Sequence, residues 1–191
     1  MINDKFIASL KKEYQTHDSQ RRQIISLSND MLYLAKKAVF SIHRDSLIEA
    51  DKLLEEIEAK ITSMAAKFGW TRAYEEGSFS AAMEEYVEAK FFLAAVRGQV
   101  IRPIAKTKLT HISYLGGLCD ATGELVRRAT NQAAKHEWKE VEKIRQAIDA
   151  IMAAMLEFDL GGYLRTKYDQ ARGNLRKIEQ ISYEIALKTQ A

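Results

Sequence analysis

The sequence predicts an all-α protein, a bundle of six or seven helices with long antiparallel members. Three observations carry that expectation. One proline and nine glycines in 191 residues leave little to interrupt a helix. The commonest residues are the helix formers Ala, Leu, Glu, Lys, Ile and Arg. Apolar residues recur at spacings of three and four along most of the chain. A chain of this length forms one domain, residues 1–191, with a real core.

The elements follow in order. A short amphipathic start is expected from Lys5 to Tyr14, then a helix from Ser19 to His43 capped by Asp18 or Ser19. Its stripe is Ile24, Leu27, Met31, Leu34 and Ala38. A second helix fits Ser46 to Phe68, with Leu53, Ile57, Ile61 and Met64 on one face and Gly69 as its stop. A third begins near Ser78, as N-cap, and runs through Val96. In the stretch from Gly98 to Lys108, Pro103 could begin a helix or interrupt one. Further helices fit Ile112 to Asn131 and Glu137 to Phe158, and Gly161–Gly162 marks the next boundary. The last helix, Tyr163 to Leu187, carries Leu164, Tyr168, Ala171, Leu175, Ile178, Ser182 and Ile185. That alternation of four and three is a coiled-coil-like seam, which needs a partner helix in this chain or another.

Composition narrows the function classes. A net charge of +3 and a pI near 8.8 permit nucleic-acid binding without requiring it. Cys119 is the single cysteine, so no intramolecular disulfide forms and a reducing cytoplasm is expected. The N-terminus has no secretory signal, and the longest apolar runs, such as Phe91 to Val96, are too short to span a bilayer.

Two acidic pairs stand out, Glu85 with Glu88 and Asp120 with Glu124. Residues three or four apart share a helix face, with Cβ atoms roughly 5–6 Å apart. Glu85 and Glu88 interrupt a stripe that continues through Ala81, Phe92 and Ala95, so their carboxylates are partly desolvated and need a cation or a proton. Oxygen-only ligands suit Mg²⁺ or Mn²⁺, ions that assist phosphodiester cleavage. Gly116, Gly117 and Gly123 beside the second pair permit close approach of another backbone. The plainer alternative is a solvated surface pair, with Glu124 bonded to Arg127 or Arg128. A di-iron bundle is disfavoured, because none of the four histidines follows an acid by three residues.

No acid lies between Ala89 and Cys119, whereas Lys90, Arg97, Arg102, Lys106 and Lys108 are cationic. Arg97, Arg102, Arg127 and Arg128 are the candidate phosphate contacts, which would make binding salt-dependent. A solvated helix end and loop is the competing reading. Trp70, Trp138 and the tyrosines suit core or subunit contacts better than base stacking, His43 reads as a helix-end residue, and Cys119 as a small packing residue.

The segments His17 to Arg44, EEYVEAKFF (Glu84 to Phe92) and YLGGLCDATGELVRR (Tyr114 to Arg128) resemble the translin superfamily, most closely its translin-associated factor X branch. The resemblance extends more weakly into Tyr168 to Ile185 and covers most of the chain. It implies a translin-like helical subunit of a hollow octameric shell with Mg²⁺-dependent endoribonuclease activity. The family's acids fall on Glu85, Glu88, Asp120 and Glu124, all present here as carboxylates; plain translin lacks the full set. The compact, tail-free chain is similar to archaeal or ancestral homologues that assemble from one kind of subunit. The resulting expectation is a homo-oligomer that binds RNA, and also single-stranded DNA, and cleaves RNA with Mg²⁺ or Mn²⁺. In that scheme Glu85, Glu88 and Asp120 hold the ion, and Glu124 is a further ligand or the general base. The alternative is a non-catalytic shell that binds single-stranded RNA or DNA.

Overall fold

The computed structural model describes residues 2–105 and 107–190; Lys106, one of the expected cations, lies outside the described residues. Among the described residues there are seven helices and no strand. Helix α1 spans Asp4–His43, α2 Leu47–Phe68, α3 Trp70–Tyr74, α4 Gly77–Val96, α5 His111–Ala134, α6 Trp138–Met155 and α7 Gly162–Gln190.

Helix α1 is a single rod of 40 residues, about 60 Å long at 1.5 Å per residue, rather than a short start followed by a second helix. The side chain of Asn3 caps it, accepting from the amides of Lys5 and Phe6 at 2.9 and 3.2 Å. No glycine or proline separates residues 4 and 43, and Asp18, far from capping anything, pairs with Arg22 one turn on at 2.6 Å. Burial begins only at Ile24; before it the helix is largely exposed, with Phe6, Ile7, Leu10 and Tyr14 facing outward.

Helix α2 buries Leu53, Ile57, Ile61 and Met64 as its spacing predicts, and ends at Gly69, whose φ of 80° only glycine adopts freely. The short helix α3 follows, an element the sequence pattern does not reveal. Glu76, not Ser78, occupies the N-cap position of α4. Helix α4 is the centre of the domain: Phe79, Met83, Tyr86, Val87 and Phe92 are fully or almost fully buried on different sides of it.

The described residues between α4 and α5 form no helix, so Pro103 neither begins nor interrupts one. Helix α4 is about 30 Å long, and this connection can span about 46 Å when extended. That reach lets the chain return to the start of α4 before α5 begins. The contacts of Glu84 with Gly116 and of Glu88 with Asp120 and Glu124 show that α4 and α5 run parallel. Gly117 likewise lies against Val87. The long antiparallel members expected are present, since α2 and α6 run opposite to α1, α4, α5 and α7.

The seam of α7 finds its partners inside the chain. Ala171 and Ile178 are fully buried, and Leu164, Tyr168, Leu175 and Ile185 pack on the same core, against α5 and α6. It therefore makes no demand for a second subunit. Among the described residues no helix is long and apolar enough to cross a membrane.

Candidate active site

Helix α4 presents Glu84, Glu85 and Glu88 on about one turn, and parallel α5 presents Asp120 and Glu124 opposite them. The close approach depends on α5 having no side chain where it crosses α4. A Cβ on Gly116 would stand 2.6 Å from Glu84 Cδ, and one on Gly117 would stand 2.9 Å from the Glu84 carbonyl oxygen. Gly123 is not needed in this way, since a Cβ there would meet only Asn174 at 3.5 Å.

The four acids selected by spacing face one another across these helices. Glu88 is pushed up to about 8, first by burial and then by the charges of Glu85, Asp120 and Glu124, with Lys167 opposing. Glu85 is raised by burial, offset in part by Lys36 of α1. Asp120 is also raised by burial, while its bond from Lys167 acts the other way. Glu124 alone is lowered. His43 at the end of α1 donates from Nε2 to Glu124 Oε2, and Arg127 adds a bond at 3.4 Å.

Four further residues, Glu84, Tyr163, Lys167 and His43, complete the site without a local signal in the sequence. Glu84, only 8 % exposed, accepts from Tyr163 Oη at 2.5 Å and from Lys167 Nζ at 2.7 Å. The same ammonium lies 2.5 Å from Asp120 Oδ2, so Lys167 bridges α4 and α5. His43 packs its ring 4.9 Å from Phe92, and its Nδ1 is buried without a hydrogen-bond partner. It therefore positions Glu124 rather than merely ending a helix. Cys119 beside Asp120 is raised to about 12 by burial, an inert thiol.

The basic candidates divide. Arg97 is held by both oxygens of Asp51 at 3.0 and 2.5 Å. Arg128 is buried and clasps the α1–α2 turn, donating to the Ile42 carbonyl at 3.0 Å and to Asp45 at 2.6 Å; it does not reach Glu124. Arg102 and Arg127 are exposed. A cleft of about 420 Å³ lined by Tyr74, Ser80, Glu84, Thr110, Ser113 and Tyr163 opens beside the acids.

The donor set is all carboxylate oxygen, which fits a hard divalent cation. As the side chains stand, however, no group of three or more His, Cys, Asp or Glu among the described residues closes into a metal shell. An ammonium already occupies the junction between Glu84 and Asp120.

Residues 19–189 match the Translin family. The chain belongs to the Translin family. Solved structures agree on the fold. This Translin-family chain is similar to the crystal structure of AfC3PO, at 23% identity with a TM-score of 0.88, over 97% of this chain and 99% of that one. It is similar to AfC3PO in its complex with duplex RNA, at 22% identity and a TM-score of 0.85, over 95% of this chain and 97% of that one. Apo-NeC3PO matches at 22% identity and a TM-score of 0.84, over 97% and 98%. Among curated proteins none matches.

Proposed function

We propose that the protein is an RNA-binding subunit of a metal-dependent endoribonuclease, of the factor X-like branch of its family, working inside a homo-oligomeric shell. The observation that carries the reading is the convergence of Glu85, Glu88, Asp120 and Glu124 from two parallel helices at a buried, charge-repelling site. Carboxylates kept that close in a structure gain from a shared cation. A Mg²⁺ or Mn²⁺ ion held by Glu85, Glu88 and Asp120 would supply charge neutralisation for phosphodiester cleavage. Glu124, deprotonated and aimed by His43, is suited to orient water or accept its proton.

RNA binding is supported by the duplex-RNA complex of AfC3PO. Exposed Arg102 and Arg127 are suited to phosphates, and single-stranded DNA is a further ligand by the same chemistry. Assembly is supported by the exposed apolar residues Phe6, Ile7, Leu10 and Tyr14 on the projecting part of α1, and we propose an octamer. The cytoplasm suits a chain whose one cysteine is buried and reduced.

A second reading, a non-catalytic shell for RNA or single-stranded DNA, is favoured by Lys167, which already neutralises two of the carboxylates. Labelled RNA incubated with the purified protein in Mn²⁺ and in EDTA separates the two. Cleavage that needs the metal and vanishes in Glu88→Ala or Asp120→Ala, with RNA retention and solution mass unchanged, supports the nuclease. RNA retained intact under all conditions would establish the second reading instead.

A further inference from the structure

A divalent ion at this site has to join α4 to α5, and the protein already joins them with a charge of its own. Lys167 Nζ lies 2.7 Å from Glu84 Oε1 and 2.5 Å from Asp120 Oδ2, and 5.4 Å from the centre of the Tyr163 ring. Tyr163 fixes the far side by donating to the same Glu84 oxygen. The lysine side chain is 19 % exposed, so the ammonium is lodged in the site and not trailing across its surface.

We propose that Lys167 is a displaceable internal cation: its ammonium holds the α4 and α5 carboxylates together in the metal-free chain, and a divalent ion loads only as Lys167 withdraws. The inference rests on the metal reading of the site. Three observations support it. A dication bridging Asp120 would have to stand within a few ångströms of the ammonium, and like charges so close in a half-buried site repel strongly. The lysine stem is long and flexible and is anchored on α7 beside exposed Arg165, Thr166 and Gln170, which gives its head a path to water. The acids fail to close into a metal shell while the ammonium is present. Withdrawal also frees Glu84 to face the ion.

The test is Mn²⁺ binding by calorimetry to the full chain, as wild type, Lys167→Met and Lys167→Arg. If the docked form fills nine-tenths or more of the population, removing the charge tightens the apparent Kd at least about tenfold. Lys167→Arg, which keeps the charge, should bind no more tightly than wild type. Amine labelling of the wild type, mapped by peptide mass, gives a readout independent of any variant's folding. Labelling of Lys167 should be slow without metal and several-fold faster with Mn²⁺. Unchanged or weaker Mn²⁺ binding in Lys167→Met, or labelling that Mn²⁺ leaves slow, overturns the displacement while leaving the metal site in place. No Mn²⁺ binding by any of the three chains overturns the metal reading, and the displacement with it.

Discussion

Gly117 of α5 rests directly on Val87 of α4, so closely that a methyl group on Gly117 would stand 2.6 Å from Val87 Cγ1. Both helices would have to part to admit it. Gly117→Ala should therefore destabilise the chain by about 1–3 kcal/mol, the usual cost of overpacking, and separate the acids enough to lower metal affinity. Gly123→Ala, whose new methyl meets only an ordinary contact, should leave stability unchanged or raise it by up to about 1 kcal/mol through helix propensity. Urea unfolding of the two variants makes the comparison.

Glu88 gives the metal-free protein a pH dependence of known sign. Its carboxyl titrates near 8 when folded and near 4.5 when free, so between these values the folded chain keeps a proton that the unfolded chain has lost. Stability should fall as pH rises from about 4.5 to about 8 and level off above, at up to about 1.4 kcal/mol per pH unit. Glu85 and Asp120, raised likewise, act in the same direction, and lowered Glu124 opposes them. Glu88→Gln should raise the melting temperature at pH 8 and change it little at pH 5. A divalent ion should bind more tightly at pH 8 than at pH 6, with proton release measurable by calorimetry in two buffers.

His43 should matter to chemistry more than to binding. Its Nε2 donates to Glu124 from 81 positions away. His43→Ala should slow RNA cleavage by about 10–100-fold, the range found when a supporting partner of a metal site is lost, with RNA retention unchanged. His43→Gln, which can still donate, should recover part of that rate. Single-turnover cleavage beside a filter-retention assay reads both.

Arg127 and Arg128 are neighbours with opposite expected phenotypes. Arg128 fastens α5 to the α1–α2 turn through Ile42 and Asp45, so Arg128→Ala should cost about 1–3 kcal/mol by removing its buried, charge-assisted hydrogen bonds to both. Arg127 is exposed and its pairing with Glu124 is long, so Arg127→Ala should leave stability within about 0.5 kcal/mol. Only the second should weaken RNA retention and flatten its salt dependence.

Where the pattern was dense, the sequence was informative. The stripes of α2 and α7 and the stop at Gly69 are legible because burial on one face leaves a period of three and four. The unity of α1 is not, because its exposed first half has no core-facing stripe to read. Helix α3 is too short to show a period. The parallel pairing of α4 and α5 is decided by positions 97–110, which have no periodicity at all. The same division holds for the site. Glu85 with Glu88 and Asp120 with Glu124 are visible because each pair is local to one helix. Glu84, Tyr163, Lys167 and His43 acquire their roles only from partners 47 to 83 positions distant, which no spacing rule reaches.

The bridge from Lys167 to Asp120 also imposes an order on biosynthesis, because the ammonium is 47 positions downstream of the acid it neutralises. A nascent chain leaving the ribosome exposes its carboxylates first and receives their counter-charge only when the final helix emerges. Until then the central helices have reason to stay apart, and a fragment ending before residue 162 should be trapped in that loosened condition.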